Sequence, residues 1–527
     1  MTTEATTRMN RSALLAAKAE GRSEPLEEIT VGRDVLELVS SAMYIDPMTI
    51  YREYVQNSAD AIDDARSNGL ISVDEAGKVL ITIDPAARSI RIRDNGTGLS
   101  NAEFSRKMAA LGASGKRGTK ARGFRGVGRL AGLGYAQELI FRSRTAADAT
   151  VAELTWDCRR LKSALRESDG DIQSLIRSVA TLRKKPTEDY PDRFFEVELR
   201  GVVRLRSDKL MSPAAVDEYL GQVAPVPFAP EFRFGAEIRD ALAPVVALGE
   251  LDIRIEGNER PVFRPHRDIL TPTGHPAIRF NRLSVSEISA IDGELAAIVW
   301  VLHHDYEGAL PNAAGVKGLR LRSGNVQIGE HNLLEELFPE IRFNAWAVGE
   351  IHVVDRKIVP NGRRDHFEQN AHYHNLTNQL APLARDIAHL CRTSSIKRNW
   401  LRETELQLRV ANETLDILSQ GVLGEPEYLN WWAKGNDACQ RAKKALSQKV
   451  LQDEDLSGYA EKVTQVEKSL ELSTRPRLAA VKGVADNERA AFLRFCEVLY
   501  QVSSSQSAAK ALVDKVMAKL GDGEPIP

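Results

Sequence analysis

The sequence predicts an α+β fold made of an N-terminal α/β sandwich, a second α+β domain and a helical C-terminal region. Residues 79–84 and 89–94 alternate apolar and polar side chains around the turn-like segment 85–88, which is typical of two paired strands. An amphipathic segment, residues 51–62, precedes them and can pack its apolar side on a sheet. From about residue 375, charged and apolar residues recur at steps of three and four, which predicts helices to the end.

The chain is expected to consist of four segments. We expect an N-terminal arm at 1–30, a first domain at 31–205, a second at 206–374 and the helical region at 375–527. The arm can cross to another subunit or form a simple tail. Two further features are an insertion at 161–185, which is predicted to be helical, and a proline-rich linker at 224–230. Strands of the second domain are predicted at 251–256, 295–300, 318–322 and 348–354.

Three short motifs follow one another in the first domain. At about 100° per residue, a helix brings Glu53, Asn57 and Asp60 within roughly 60° of one another. Considered alone, this pattern is more often a solvated acidic face. Asp94, however, stands at the end of a predicted strand with glycines after it, and a glycine-dense stretch comes at 123–128. A buried carboxylate at Asp94 can accept a hydrogen bond from an adenine amino group. Three such motifs in this order and spacing are improbable by coincidence, and together they indicate a nucleotide site.

The first motif, residues 53–61, resembles the GHKL ATPases, which include gyrase, the Hsp90 chaperones, histidine kinases and the MutL proteins. This resemblance implies a Bergerat-type nucleotide domain that hydrolyses ATP with Mg²⁺. It makes Glu53 the general base, Asn57 the magnesium ligand and Asp94 the residue that recognises adenine. The residues that the resemblance places around ATP are Asn57, Asp60, Asp94, Gly96, Gly98, Lys116, Gly123, Phe124, Arg125, Gly126, Val127 and Gly128.

The segment between the second and third motifs is glycine-rich and basic. Residues 111–122 occupy the position of the family's mobile lid over ATP, although a flexible basic loop would read the same way. A Walker-type phosphate loop does not fit, because Arg117 follows Lys116 where Ser or Thr is required. The chain also departs from the family at the strand 193–200, which lacks the Gly-Thr pair that often opens it.

The end of the second domain, residues 346–367, resembles the transducer domain of MORC proteins. In that domain a basic residue reaches back to the γ-phosphate. On this match Arg363 is the best candidate for the sensor, Arg364 the next and Lys317 a third. The alternative is a pair of exposed arginines after a turn with no such role.

Composition and charge set outer limits on function. With 527 residues, a formal net charge of -2 and 43% hydrophobic residues, the chain resembles an ordinary multidomain globular protein. That charge gives no general attraction to nucleic acid or anionic membrane. The four cysteines have no metal or disulfide spacing, which suits a reducing cytosol. Since no apolar run reaches membrane length and the start is polar, we expect a cytoplasmic protein with no membrane contact.

The shared ATPase motifs leave three classes of function. The first is an ATP-gated homodimeric clamp like the MORC and MutL proteins, closing on DNA or a protein and also consistent with bacterial defence. The second is an Hsp90-like chaperone acting on protein clients. The third, a sensor kinase, is strongly disfavoured, because no histidine precedes His266 and the first motif therefore has no phosphoacceptor helix before it.

Overall fold

The structure, a computed structural model, describes residues 46–72, 75–109, 128–165, 172–205, 207–274, 276–473, 484–485 and 487–521. The predicted arm at 1–30 and the predicted lid at 111–122 lie outside these residues.

A seven-stranded sheet forms the first part of the described chain, in the order β5-β4-β3-β6-β2-β1-β7. Helix α1 packs on it through buried apolar residues such as Tyr51, Val55 and Ile62. The elements are α1 (Thr49–Ser67), β1 (Gly77–Asp84), β2 (Ser89–Asp94), α2 (Asn101–Ala109), β3 (Glu138–Arg144), β4 (Val151–Asp157), α3 (Cys158–Ala164), α4 (Ile172–Val179), β5 (Ala180–Lys185), β6 (Phe194–Arg200), α5 (Pro213–Val223), α6 (Gly235–Leu242) and β7 (Leu251–Ile255).

The predicted hairpin of the first domain is confirmed. Strands β1 and β2 pair antiparallel, with Val79 opposite Asp94 and Asp84 opposite Ser89. Residues 85–88 make the turn, and Asp84 Oδ1 accepts the amide hydrogens of Ala86 and Ala87 at 2.9 Å. Asp94 therefore closes β2, as the alternation predicts.

Two sequence predictions in this part are wrong. The strand at 251–256 was assigned to the second domain, whereas β7 runs parallel to β1 and extends the first sheet. Parallel strands require a long connection, and here α5 and α6 belong to it. The insertion at 161–185 is helical in part, because its described residues include the end of α3 and all of α4, whereas Ala180–Lys185 forms the edge strand β5 against β4. Local pattern identifies a strand but does not say which edge it joins.

A second sheet, in the order β10-β11-β14-β12-β13, follows in the chain. The predicted strands at 295–300, 318–322 and 348–354 correspond to β11, β12 and β14, so an α+β second layer is confirmed. The elements are β8 (Ile269–Leu270) and β9 (Ile278–Arg279), which pair with each other, then β10 (Arg282–Ser289), β11 (Leu295–His303), β12 (Gly318–Ser323), β13 (Val326–Ile328) and β14 (Val348–Val353).

The C-terminal region is helical, as predicted. Helix α7 starts at an Asn370 cap whose side chain accepts the Tyr373 amide, and its first half packs into the core of the second sheet through Leu376, Leu380 and Ile387. Its second half joins the core of the remaining helices. The helices are α7 (Ala371–Ser419), α8 (Glu425–Leu446), α9 (Ser457–Leu472), α10 (Arg489–Val502) and α11 (Gln506–Gly521). Within the described ranges, none of the helices has the length and apolar character needed to cross a membrane.

Candidate functional site

Helix α1 turns its polar residues toward two neighbouring regions. Glu53 and Asp60 are buried although both carry carboxylates, and Asn57 between them is half-buried. At about 100° per residue, Thr49, Arg52 and Gln56 fall on the adjacent side of the helix, where contacts to the second domain are made. The helix thus stands between the predicted nucleotide residues and the second sheet.

Asp94 is a buried acid at the end of β2, only 3% exposed. Burial raises its pKa to about 7, against the lowering effects of the Gly96 amide, the Ser58 hydroxyl and the Arg193 charge. The Gly96 amide donates to Asp94 Oδ1 at 2.9 Å. A carboxylate in this setting can accept a hydrogen bond from a ligand that reaches it, and its charge is sensitive to pH near neutrality.

The glycines after Asp94 bring its loop close to helix α1 and to β3. The Thr97 amide donates to the Ala61 carbonyl oxygen at 3.1 Å. Gly98 has a φ of +65°, and a Cβ there would overlap the carbonyl oxygen of Arg144. The segment 94–98 is therefore packed directly against the helix that carries Glu53 and Asn57.

Arg193 holds this segment from the other side, a role that the sequence analysis missed. Its Nη1 donates to the carbonyl oxygens of Asn95 at 2.8 Å and Gly96 at 2.5 Å, and its Nη2 donates to the Leu70 carbonyl at 3.1 Å. Arg193 stands directly before β6, where the family's Gly-Thr pair is missing. That departure was the one signal in the sequence that pointed to this position.

Gly128 approaches Glu53 from the start of a 3₁₀-helix, Gly128–Gly134. A Cβ at Gly128 would overlap Glu53 Oε2. Tyr54 fixes this helix, because its hydroxyl accepts the Gly132 amide at 2.9 Å and donates to the Arg129 carbonyl at 3.1 Å. The remaining predicted nucleotide residues belong to the lid or to the glycine-dense stretch and lie outside the described residues. They stay predictions: Lys116, Gly123, Phe124, Arg125, Gly126 and Val127.

The second domain reaches Glu53 through Arg364. Arg364 Nε lies 3.9 Å from Glu53 Oε1, and its Nη1 donates to Gln56 Oε1. The side chain of Arg363 is exposed, and its carbonyl oxygen accepts a hydrogen bond from Arg52 Nη2 at 2.9 Å. Lys317 is paired elsewhere, with Asn312 Oδ1 at 2.6 Å. The structure therefore brings Arg364 to Glu53 and does not bring the side chain of Arg363 or Lys317 there.

A tight turn explains why Arg364 rather than its neighbour points inward. Pro360 and Phe367 pair across the turn, and Arg364 has a φ of 56°. Its carbonyl oxygen accepts the Gly329 amide at 2.8 Å, while the buried Phe367 ring stacks on Tyr373 with centroids 5.7 Å apart. Consecutive side chains in such a turn face different directions, which the sequence alone does not reveal.

Asn57 is the one predicted metal ligand. In the described part of the chain the side-chain amide of Asn57 makes no hydrogen bond. Among the same residues, no group of three or more His, Cys, Asp or Glu has the arrangement of a metal site. Mg²⁺ often takes only one or two protein oxygens and fills its other positions with phosphate and water. A half-buried amide beside a buried carboxylate suits that mode of binding.

Comparison with known proteins finds similarity in the same region. A family model described as "Histidine kinase-, DNA gyrase B-, and HSP90-like ATPase" matches residues 47–181. The chain is 27% identical over 203 residues to the chaperone protein HtpG of Polaromonas naphthalenivorans, covering 34% of this chain and 30% of that protein. It is 26% identical over 208 residues to HtpG of Geobacter metallireducens, covering 35% and 31%. The chain thus spans about three tenths of the length of these curated relatives.

Proposed function

We propose, on the premise that residues 47–181 form a GHKL-type ATPase domain, that this chain binds ATP with Mg²⁺ and hydrolyses it to ADP and phosphate. The observation that carries the proposal is the setting of Glu53, a buried carboxylate between Gly128 and Arg364. Phosphoryl transfer to water needs a group that orients the water and positive charge near the transferred phosphoryl group. Glu53 and Arg364 supply these two requirements from opposite domains.

Each remaining group has a defined task in this proposal. Asp94 accepts the adenine amino group, which favours adenine over a base with a carbonyl oxygen at that position. Asn57 would hold Mg²⁺, which when bound neutralises phosphate oxygens. Arg193 keeps the backbone around Asp94 in place through its bonds to Asn95 and Gly96.

The product of the cycle is a change of conformation. The pair between Glu53 and Arg364 joins the first domain to the second, so a nucleotide that alters this contact alters how the domains are held. We infer an ATP-dependent homodimeric clamp of the MORC and MutL type in the cytoplasm, closing on DNA or another target, with a role in bacterial defence as one setting. A second candidate is an Hsp90-like chaperone, which is favoured by the similarity to proteins named HtpG.

Substitution of the general base tests the enzymatic part. Glu53→Gln keeps the shape of the side chain and removes its charge, so phosphate release should fall about 100-fold because a positioned base contributes roughly 10²–10⁴. Binding of a fluorescent ATP analogue should be retained. Glu75→Gln changes an exposed acid and serves as the matched control. Hydrolysis by Glu53→Gln at the parental rate would falsify the assignment.

Light scattering and a pull-down test the clamp. The chain should dimerise with a non-hydrolysable ATP analogue, and monomers with and without the analogue would contradict the clamp. The hydrolysis-deficient Glu53→Ala chain, held in its closed state by ATP, should then retain its target. Recovered nucleic acid supports the MORC-like clamp, whereas recovered protein clients alone support the chaperone.

A further inference from the structure

A cavity of about 480 Å³ lies between helix α1 and the second sheet. Its walls include Thr49 and Arg52 of α1, Tyr219 and Gln222 of α5, and Arg320 and Gln327 of the second sheet. A volume of this size is within the range of small-ligand sites, which is roughly 300–1,000 Å³.

The cavity is separate from the proposed nucleotide site. The described residues that line it do not include Glu53, Asn57 or Asp94. Arg363 lines it, whereas the next residue, Arg364, faces Glu53. The two sites therefore lie on opposite sides of one turn.

Among the described residues, two buried arginines in the cavity have only neutral hydrogen-bond partners. Arg52 is 9% exposed, its Nη2 donates to the Arg363 carbonyl, and its buried Nε has no hydrogen bond to any residue that the structure describes. Arg320 is 4% exposed, and its Nη1 donates to Gln222 Oε1 and Gln327 Oε1 at 3.0 Å each. Across the described ranges, neither arginine forms an ion pair with a carboxylate. Since buried charges in proteins are normally paired, this arrangement calls for an anion.

Glu350, a buried acid opposite Arg320 on the neighbouring strand, raises the pKa of Arg320 by its charge but forms no ion pair with it in the described part of the chain. It pairs instead with two other arginines, through Oε2 to Arg264 and through Oε1 to Arg322 at 2.6 Å. The acids that line the cavity, Asp46, Glu330 and Asp365, are exposed to solvent. Positive charge is therefore concentrated at the depth of the cavity, and the acidic residues lie toward its mouth.

The titration of nearby groups agrees with this distribution of charge. Burial is the main cause that lowers the pKa of His331, which also lines the cavity, and the charges of Lys317 and Arg320 lower it further. Burial also lowers the pKa of Arg320 to about 10, which still leaves it charged at neutral pH. An anion in contact with Arg320 would stabilise that charge.

We propose that this cavity binds a small phosphate-bearing metabolite whose phosphate contacts Arg52 and Arg320. Two guanidinium groups match a dianion better than a single carboxylate, because each offers several donors in a fixed plane. Gln222 and Tyr219 provide neutral polar contacts for the rest of the ligand. The site stands independently of ATP hydrolysis.

Calorimetric titration of the full chain with pyrophosphate tests the proposal. The buffer contains EDTA and chloride at constant ionic strength, so that magnesium-dependent binding at Asn57 is excluded. We expect one saturable site per chain, and Arg320→Gln should weaken it at least 10-fold. Arg239→Gln, which changes an exposed arginine on α6, should bind pyrophosphate as the parent does.

Comparison with Mg-ATP binding separates the two sites. Arg320→Gln should still bind Mg-ATP, which also verifies its fold, whereas Asn57→Ala should lose Mg-ATP and keep pyrophosphate. His331→Glu is the second variant, since it adds a carboxylate that competes for the arginines, and it decides the question if Arg320→Gln does not fold. Unchanged pyrophosphate affinity in the decisive variant, or its loss in Asn57→Ala, would overturn the proposal.

Discussion

Arg364 places its guanidinium 3.9 Å from the carboxylate of Glu53, across the boundary between the two sheets. The two side chains are only 10% and 9% exposed, so solvent screens their charges little. The pair is also one of the ties between the domains, beside the bond from Arg52 to the Arg363 carbonyl. The carboxylate that we propose as the general base and its arginine partner thus come from separate parts of the fold.

Arg364→Ala should lower kcat for ATP hydrolysis about 10-fold or more, with a smaller effect on KM. In the proposed function its charge faces the negative charge that develops on the phosphoryl group, and removing such a group costs roughly 10²–10³ in rate in favourable cases. Steady-state phosphate release measures both constants. Arg356→Ala, an exposed arginine nearby, is the control. A larger loss in Arg363→Ala or Lys317→Ala than in Arg364→Ala would return the sensor role to those residues.

Gly128→Ala should impair hydrolysis without unfolding the chain. The added methyl group would overlap Glu53 Oε2 and push the carboxylate from its position. A displacement of this kind near the reacting atoms can reduce the rate about 100-fold. Gly458→Ala is the matched control, because a Cβ there meets no heavy atom within 4 Å. Equal rates for the two variants would show that Glu53 does not need its present position.

Asp94 should make the stability of the chain depend on pH. Its pKa in the folded chain is about 7, above the ordinary value of 3.8, so the folded state binds more protons between these values. The free energy of unfolding therefore falls as pH rises from about 4 to 7, by on the order of 4 kcal/mol. Thermal unfolding measures this effect. The Tm of Asp94→Asn should rise relative to the Tm of the parent as the pH is raised from 5 to 8.

Asp189→Asn, an exposed acid, should leave this pH dependence as it is in the parent. A parental pH profile in Asp94→Asn would refute the assignment. The same variant should lose ATP binding, because the amide no longer offers the carboxylate to the adenine amino group.

Arg193→Gln should weaken ATP binding about 10-fold, since the backbone of Asn95 and Gly96 loses two charge-assisted hydrogen bonds. Equilibrium titration with a fluorescent ATP analogue measures the change. Arg193→Lys keeps the charge and should recover part of the affinity. Parental affinity in Arg193→Gln would mean that other contacts suffice to hold this loop.

The local features of the site were predictable from the sequence. The turn at 85–88 and the alternation of β1 and β2 placed Asp94 at a strand end, and helical spacing placed Glu53 and Asn57 on one side of α1. These features depend on residues that are close in the chain. The periodic pattern therefore carried enough information to position them.

The features that the sequence did not reveal depend on the three-dimensional path of the chain rather than on a periodic pattern. Strand β7 pairs with β1 across a long stretch of chain, and the bonds of Arg193 join β6 to the Asp94 loop. The inward side chain of the turn is Arg364 because of a left-handed backbone and a pairing between Pro360 and Phe367. Arg363 and Arg364 are adjacent residues of the same type, so the sequence cannot tell which of them faces Glu53, and only the three-dimensional path of the chain distinguishes them.

Helix α7 connects the second sheet rigidly to the C-terminal helices. Its 49 residues correspond to about 74 Å at 1.5 Å per residue, with one half fixed in the core of the second sheet and the other in the core of the C-terminal helices. A tilt of about 5° at the sheet would move the far end by roughly 6 Å over that length. In the proposed clamp, a motion too small to disturb the packing around Arg364 would therefore displace the C-terminal helices by several ångströms.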